Sequence, residues 1–326
     1  MMRLLPVLLA GLSFGLVGGL HAAEVGLIKV KGVIGPATSS YISRAIDKAG
    51  ERKFACLVIL LDTPGGALDA TKEIVQKFYA STVPTVVYVA PAGSWAGSAG
   101  CFITLAADVA AMAPSTSIGA AHPVSIGIGG EEKTNDVMKQ KMENFASSYI
   151  ASIAEKRGRN IEWAKSAVVK SESITATNAM ELKVIDLVAE DMRDLLNQLD
   201  GREIKGKQLK TAEAVVVDIP MTTRERILQL LSHPELMMFF ILVAMYGIIG
   251  ELSNPGAILP GVAGAIALIL VLYMSAILPV NLAGLALILL AAGLFIVDIY
   301  APTHGVLTFG GIAAFFLGAL MLFNRG

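Results

Sequence analysis

The segment "PAGSWAGSAGC" (residues 91–101) places Ser98 among small residues, between an apolar run and a sequence typical of a short helix. A serine oxygen at such a point can attack a carbonyl carbon when a base lies within hydrogen-bond reach and donors face the developing oxyanion. The first N–H groups of a helix have no intrahelical partner, which leaves the N–H of Ala99 available as a donor. Ser98 is therefore a candidate nucleophile, and the alternative is a serine whose side chain caps the helix.

A similar turn occurs earlier, in "LLDTPGGALDAT" (residues 60–71), where Pro-Gly-Gly ends an apolar run just before a helix. Glycine adopts left-handed backbone torsions at little cost and leaves its N–H approachable. Two strand ends with such turns can present backbone donors toward one crevice. A tight strand–helix connection is the alternative interpretation, and it explains one glycine better than it explains the whole of Pro64-Gly65-Gly66.

Strand-like and helix-like segments alternate around these turns. Short continuous apolar runs at 55–62 and 85–90 are typical of strands buried on both faces. This alternation predicts a mostly parallel α/β core, with binding groups at the strand-to-helix turns. The other predicted elements are strands at 25–34, 108–114 and 116–121, helices at 36–49, 67–80 and 136–157, two further helices, the short strand "VIDLVAE" (184–190) and a hairpin-like region at 202–218.

The ordered motifs "LDTPGG", "AGSAG" and "MAPSTSIGAAHPV" resemble the Clp-protease/crotonase superfamily. Within it, they are most similar to the NfeD-type membrane-bound serine proteases, the operon partners of stomatin-like proteins. The resemblance covers about residues 25–200. It implies a catalytic pair of Ser98 and Lys141, the latter in "KQKMENF" near the start of the long helix. It also implies an oxyanion hole made by the backbone N–H groups of Gly66 and Ala99.

The same resemblance implies what the protein acts on and with. It implies a protein or peptide substrate cleaved at apolar segments, a stomatin/prohibitin-like membrane partner and a homodimer or larger assembly. We expect no cofactor and no metal, since no zinc-type spacing of Cys and His is present and "GIGGEE" lacks the Lys-Ser/Thr of a phosphate loop. The glycine-rich segment 125–136 is instead expected to form a lid beside the cleft.

Lys141 has the surroundings that a lysine base needs. Lysine accepts a proton only when neutral, and burial in an apolar cleft disfavours its charged form. Met138 and Phe145 lie one helical turn to either side of Lys141 on the same face. Lys139 and Lys133 are rivals, but Lys139 lies on a different helix face and Lys133 falls in the polar loop.

His122 is the alternative base. It follows Ser98 at nearly the separation that soluble Clp proteases use, and a Ser98–His122 pair would need a carboxylate to orient the imidazole. Asp186 is a possible supplier of that carboxylate. In the lysine branch of the family, the position of His122 lines the cleft instead. Cys56 and Cys101 are expected to be small buried side chains, and a disulfide between them stays open.

Composition separates a polar front from an apolar back. The 326 residues have a net charge of -1 and are 54% hydrophobic, with a mean hydropathy of +0.64. This is too apolar for an ordinary soluble domain and provides no basic footprint for nucleic acid. After residue 231 the charged residues are Glu235, Glu251, Asp298 and Arg325.

Four apolar stretches, at about 236–250, 260–278, 282–300 and 305–323, predict a multi-span helical domain in the lipid bilayer. Three are long enough to cross about 30 Å of hydrocarbon, whereas the first is short and can be re-entrant. Asp298 is expected at the membrane interface rather than in an ion site. No internal repeat is evident along the chain.

The N-terminus predicts export. One positive side chain, an apolar stretch and small residues at Ala22 and Ala23 are typical of a signal peptide, with an uncleaved anchor as the alternative. We therefore expect a cell-membrane protein with an extracytoplasmic protease domain. The expected domains are 1–23 (signal), 24–221 (protease), 222–234 (amphipathic connector with a Thr222–Glu225 capping box) and 235–326 (membrane), without the C-terminal β-barrel of longer relatives.

Two other functional classes fit part of the pattern. A non-proteolytic membrane scaffold would organise a stomatin-like partner and use the serine only as a cap. A crotonase-type acyl-CoA enzyme would use the same paired N–H groups, but an exported domain would lack coenzyme A. The sequence thus favours a membrane-bound serine endopeptidase with a Ser98–Lys141 dyad.

Overall fold

The computed structural model describes residues 23–123, 136–253, 258–275, 281–300 and 305–322. The predicted signal segment therefore lies almost entirely outside the described residues, as do most of the predicted lid and Lys133. The strands are β1 Glu24–Lys31, β2 Leu57–Asp62, β3 Thr85–Val89, β4 Trp95–Gly97, β5 Val109–Met112, β6 Ser117–Gly119, β7 Ser173–Thr175, β8 Leu187–Val188, β9 Glu203–Ile204, β10 Lys207–Gln208 and β11 Val215–Asp218. The helices are α1 Pro36–Glu51, α2 Leu68–Ala80, α3 Ala99–Ala106, α4 Asp136–Lys156, α5 Ile161–Val169, α6 Ala176–Glu181, α7 Met192–Leu199, α8 Thr223–Leu230, α9 Pro234–Ser253, α10 Ile258–Ser275, α11 Leu282–Tyr300 and α12 Val306–Leu322.

A six-stranded parallel sheet in the order β11-β1-β2-β3-β5-β8 forms the centre of the N-terminal part. Its central strands are nearly continuous runs of Val, Ile and Leu because apolar layers cover both faces. The larger layer packs α1 to α6 on one face, and a smaller one packs α7 on the other. The prediction of a parallel α/β domain followed by apolar helices is confirmed.

The region 202–218 differs from its prediction as a hairpin. Only β9 and β10 pair antiparallel, whereas β11 lies parallel to β1, with Val215 opposite Glu24. The partner of β11 is the first strand of the chain, so no local turn signal can reveal this pairing. A second, three-stranded sheet of β4, β6 and β7 holds the segment before Ser98.

Helix α8 connects the two parts of the chain and is fixed to the α/β domain. The predicted capping box is confirmed, since Thr222 and Glu225 bond reciprocally at its N-terminus. The Glu225 carboxylate also accepts hydrogen bonds from Arg44 of α1, at 2.7 and 2.8 Å. On the free side of α8, Ile227 and Leu230 are 52% and 54% exposed. An apolar face beside the first membrane helix suits the headgroup boundary.

Two of the described helices, at Glu235–Ser253 and Ile258–Ser275, are long and apolar enough to cross a membrane. The first apolar stretch was expected to be short and possibly re-entrant, but α9 extends it in both directions to a full span. Within the described residues, the apolar parts of α11 and α12 are slightly shorter, at Ala283–Asp298 and Val306–Leu322. Both cysteines are free and buried, so the possible disulfide is absent.

The expectation of no internal repeat is wrong for the C-terminal part, where α9–α10 and α11–α12 are equivalent helical hairpins. In the first hairpin, the Glu251 carboxylate lies over Gly261. In the second, the Asp298 carboxylate accepts a hydrogen bond from Thr308, and the two pairs have the same spacing in sequence. The buried faces of α10 and α12, the second helix of each hairpin, also correspond when Glu251 is aligned with Asp298. In this alignment, Gly264 and Ala267 match Gly311 and Ala314. Few identities remain because any apolar residue satisfies a lipid-facing position, which hides the repeat from sequence inspection.

Candidate active site

Ser98 has a strained backbone and does not cap α3. Its torsions are φ 47° and ψ −111°, and its side chain makes no hydrogen bond to the helix. A non-glycine residue in such a region costs of order 1–3 kcal/mol and persists only where its surroundings enforce it. The Ser98 N–H donates to the carbonyl of Gly119 at 3.1 Å, which fixes the peptide plane. The hydroxyl is therefore presented at the helix start without serving as a cap.

The Pro-Gly-Gly turn lies directly against this serine. A β-carbon on Gly65 would come within 2.5 Å of Ser98 Cβ and 3.1 Å of its Oγ, so that position accepts only glycine. The φ of Gly65 is +122°, which side chains rarely adopt. A β-carbon on Gly97 would lie 3.0 Å from the carbonyl oxygen of Pro64. The two turns that the sequence singled out are thus in van der Waals contact.

Thr63 holds the two turns together, and sequence reasoning missed it. It is fully buried at the end of β2. Its N–H donates to the carbonyl of Trp95 at 2.9 Å, and its own carbonyl accepts from Gly97 N–H at 3.0 Å. Its hydroxyl oxygen accepts from Gly65 N–H at 3.0 Å. Thr63 therefore fixes the position of Gly65 relative to the segment that carries Ser98.

Two backbone N–H groups next to Ser98 have no hydrogen-bond partner within the described part of the chain, those of Gly66 and Ala99. Gly66 is solvent-exposed, and bonds on either side hold its peptide in place: Ile34 N–H donates to Gly65, and Ala67 N–H donates to Ile34, both at 2.8 Å. The N–H of Ala99 is free because it belongs to the first turn of α3. Both groups can bind an oxyanion.

Lys141 lies near the start of α4 and is exposed to solvent. No hydrogen bond or ion pair joins it to Ser98 or to any other described residue. Its neighbours Met138 and Phe145 are 51% and 46% exposed, so the apolar cleft expected around the amine is open in a single chain. Lys139 is likewise exposed on this helix. The structure thus leaves the predicted contact between Lys141 and Ser98 unmade.

His122 is bonded to a backbone carbonyl rather than to a carboxylate. Its half-buried Nδ1 lies 2.9 Å from the carbonyl oxygen of Val168, at the end of α5. Asp186 does not orient this imidazole, contrary to the alternative drawn from the sequence. Its carboxylate instead accepts hydrogen bonds from Arg159 at 2.5 Å and from Ala110 N–H at 2.7 Å. Asp186 therefore stabilises the sheet edge rather than a catalytic triad.

Both cysteines are buried, which disfavours their thiolate forms. Burial raises the pKa of Cys56 to about 12, and it raises the pKa of Cys101, one turn after the serine on α3, further still. Only the thiolate is a good nucleophile. Within the described ranges, no group of three or more His, Cys, Asp or Glu residues can hold a metal ion. Ser98 therefore stays the candidate nucleophile among the described residues.

Comparison with known proteins gives matches along most of the chain. Residues 24–205 match the family model "NfeD1b, N-terminal domain", and residues 235–326 match "NfeD integral membrane domain". The chain is 31% identical to the membrane-bound protease PH1510 of Pyrococcus horikoshii, across 91% of the chain and 68% of that protein. It is 28% identical to the membrane protein NfeD1b of Bacillus subtilis, across 90% of the chain and 66% of that protein. The chain thus spans about two thirds of the length of these relatives.

Solved structures of the 1510-N membrane-bound stomatin-specific protease match the N-terminal part. One, of a serine-to-alanine variant, has a TM-score of 0.57 at 32% identity and covers 62% of this chain and all of that one. Another, of a lysine-to-alanine variant in complex with a substrate peptide, has a TM-score of 0.58 at 31% identity. It covers 65% of this chain and 98% of that one. These matches confirm the α/β fold and support peptidase activity.

Proposed function

The chain belongs to the NfeD family, and we propose from this premise that it is a membrane-bound serine endopeptidase with a Ser98–Lys141 dyad. The observation that carries the proposal is the strained backbone of Ser98, whose side chain does not cap α3, with the free N–H groups of Gly66 and Ala99 beside it. The relative of known structure supports it, because a serine and a lysine were the residues replaced in its variants.

The reaction follows from these groups. Neutral Lys141 takes the proton of the Ser98 hydroxyl as its oxygen attacks a peptide carbonyl carbon. The N–H groups of Gly66 and Ala99 then bind the tetrahedral oxyanion. The protonated amine returns its proton to the leaving nitrogen, which frees the first product and leaves an ester on Ser98. Water, deprotonated by Lys141, hydrolyses that ester and restores the hydroxyl.

The open position of Lys141 fits a site that is completed when substrate binds. A peptide lying across α4 would remove water from Met138 and Phe145, and so place the amine in apolar surroundings. Burial then favours the neutral form that accepts a proton. Contacts of this kind are often long in a free enzyme and tighten in the complex.

The preferred substrate is an apolar segment. Val33, Leu68 and Trp95 flank the strand ends at the site and are 50%, 36% and 42% exposed. Exposed apolar side chains next to a catalytic serine are suited to bind apolar side chains of a substrate. Since the relative of known structure is a stomatin-specific protease, we propose a stomatin-like membrane protein as substrate and partner. A homodimer or larger assembly belongs to the same proposal.

The chain is a membrane protein with C-terminal apolar helices. We propose that its protease domain, residues 24–221, lies on the extracytoplasmic side, with 222–234 along the membrane surface and 235–326 within the bilayer. Arg224 and Arg226 on α8 are exposed next to Ile227 and Leu230, an amphipathic arrangement that suits the membrane surface. Export of this domain rests on the signal-like N-terminus.

A scaffold that organises a stomatin-like partner without cleaving it is the second candidate, favoured by the similarity to NfeD1b, which is known as a membrane protein. A serine-directed phosphonate separates the two. We expect it to label the wild-type chain at Ser98, more slowly after Lys141→Ala and not at all after Ser98→Ala. Absence of labelling in folded wild-type protein would favour the scaffold.

A stomatin-like C-terminal peptide provides the second readout. We expect the wild type to cleave it and both variants to lose at least about 10³-fold in kcat/KM, since each removes a member of a cooperating pair. Equal cleavage by all three chains would eliminate the dyad.

A further inference from the structure

A row of aromatic rings connects the helix of the serine to the helix of the lysine. The ring of Phe102 on α3 stacks on Tyr149 of α4, with centroids 5.9 Å apart and planes at 25°. Tyr149 in turn stacks on Phe145, one turn nearer the start of α4, at 6.0 Å and 15°. The three rings, which we call the aromatic row, thus run from the core outward.

A cation ends the row at its solvent side. The Lys72 ammonium lies 5.7 Å from the centroid of Phe145, within the range of a cation–π interaction. Lys72 belongs to α2, which begins at Leu68, two residues after Gly66. The row therefore connects three helices of the proposed site. Helix α2 follows the oxyanion donor Gly66, α3 follows the nucleophile Ser98, and α4 carries the base Lys141.

The spacing along each helix couples the row to the dyad. Phe145 lies one turn after Lys141 on α4, so these two side chains share one face of that helix. Phe102 lies in the first turns of α3, the helix that begins directly after Ser98. Phe102 is 4% exposed and Phe145 is 46% exposed. The inner end is anchored in the core, and the outer end holds the part of α4 that projects into solvent.

Tyr149 is the central member of the row. Burial raises the pKa of its hydroxyl to about 12, so the ring stays neutral in the physiological range. Stacked rings gain attraction beyond area burial and lose little conformational freedom when they pack. A ring between two others therefore sets the spacing of α3 and α4 more firmly than a flexible aliphatic side chain would.

We propose that the aromatic row of Phe102, Tyr149 and Phe145, together with Lys72, holds the start of α4 so that Lys141 reaches Ser98 once a substrate peptide or an active-site reagent is bound. The inference rests on the proposed dyad and adds Tyr149 and Lys72 to it as positioning residues. Neither touches the substrate. They act on the fraction of time that the Lys141 amine spends within reach of the Ser98 hydroxyl. The rate of proton transfer depends on the distance between these two groups to within about 1 Å.

The rate of phosphonate labelling of Ser98, measured by intact-protein mass spectrometry on the full-length chain in detergent, tests the proposal without requiring turnover. We expect Tyr149→Leu to slow labelling at least about tenfold and Tyr149→Phe to leave it within about threefold, because the second variant keeps the ring. In the Lys141→Ala background, Tyr149→Leu should have no further effect, since a positioning residue has nothing left to position.

Lys72→Met tests the outer end with a surface substitution that leaves the core intact. Its matched control is Lys156→Met, which removes another lysine–aromatic contact on α4, the Lys156 ammonium 4.8 Å from the Tyr79 ring at the far end of the helix. We expect Lys72→Met to slow labelling about threefold or more, and Lys156→Met to leave it unchanged.

The outcomes separate this inference from the proposed function. Labelling of Lys141→Ala at the wild-type rate would eliminate the dyad itself. A second outcome is that Lys141→Ala slows labelling, but Tyr149→Leu lowers the labelling rate by the same factor in this background as in the wild type. This outcome would support the dyad and overturn the positioning role. Equal effects of Lys72→Met and Lys156→Met would also overturn it, since both would then act through the general stability of α4.

Discussion

Gly65 lies against Ser98 so closely that a β-carbon on the glycine would come within 2.5 Å of the serine Cβ. The strand end that carries Gly66, the proposed oxyanion donor, and the strand end that carries Ser98, the proposed nucleophile, are thus fixed relative to each other by direct contact. Thr63 reinforces this contact through its hydrogen bonds to Gly65 and Gly97. The geometry of the site therefore belongs to the α/β core, while the lysine belongs to a helix that projects from it.

We expect Gly65→Ala to abolish labelling of Ser98. The new methyl group would displace the serine, and an alanine at a φ of +122° would add backbone strain of about 1–3 kcal/mol. Gly158→Ala is the matched control, since Gly158 also has a positive φ, of +67°, but open space around its Cα. It should lower the thermal transition of the protein and leave the labelling rate unchanged. Equal labelling of both variants would contradict the close packing.

We expect Ser98→Gly to be inactive but more stable than Ser98→Ala by about 1 kcal/mol. Both substitutions remove the hydroxyl, but only glycine accommodates a φ of 47° without a clash of its β-carbon. Thermal unfolding of the two variants and the wild type in one detergent measures the difference. Equal stability of the two variants would mean that the backbone at Ser98 is relaxed in solution.

We expect His122→Ala to retain activity within about threefold and Lys141→Ala to lose it, by about 10³-fold in kcat/KM. Asp186, the carboxylate that would orient the His122 imidazole and stabilise its charged form, is bound to Arg159 instead. A large loss in His122→Ala with little loss in Lys141→Ala would assign the base to histidine.

We expect Glu225→Gln to weaken the attachment of α8 in a pH-dependent way. The hydrogen bond from Arg44 lowers the pKa of Glu225 from its usual 4.5. A carboxyl group whose pKa is lowered by folding stabilises the folded state above its unfolded pKa, and this contribution is lost as the pH falls through the folded pKa. The free energy of unfolding of the wild type should exceed that of the variant by roughly 1–3 kcal/mol at neutral pH.

That difference should shrink as the pH falls below 4.5, which thermal unfolding across the acidic range can follow. Glu162→Gln is the control, because its pair with Lys165 is exposed and should contribute less than about 1 kcal/mol at any pH. A difference for Glu225→Gln that stays constant with pH would contradict the role of the charge.

The sequence was sufficient for the parts of the site that depend on local patterns. Apolar runs followed by Pro-Gly-Gly or by small residues predicted the two strand-to-helix turns, and the alternation of elements predicted the parallel sheet. The strain at Ser98 was not predictable, because it arises from the packing of Gly65 and the bond to Gly119 rather than from the serine's own neighbours. Thr63 was missed for the same reason, since its function is visible only when both turns are in place.

Strand pairing between residues far apart in sequence could not be predicted either. β11 was assigned to a hairpin because β9 and β10 provide a genuine turn just before it, while its actual partner β1 begins the domain. The exposure of Lys141 was equally hidden, since the apolar residues on its helix face indicate what they can bury but not what covers them in a single chain. Both features depend on a partner distant in sequence rather than on the element itself.

The equivalence of the two C-terminal hairpins bears on how the chain enters the bilayer. Each second helix packs its small residues against its own first helix, as Gly264 does against Ala244 and Ile248, and Gly311 against Phe295. Each pair can therefore close as a unit during synthesis, satisfied within itself before the next pair emerges. Met237 and Leu285, at corresponding ends of α9 and α11, belong to one apolar cluster, so apolar packing between the first helices joins the two pairs.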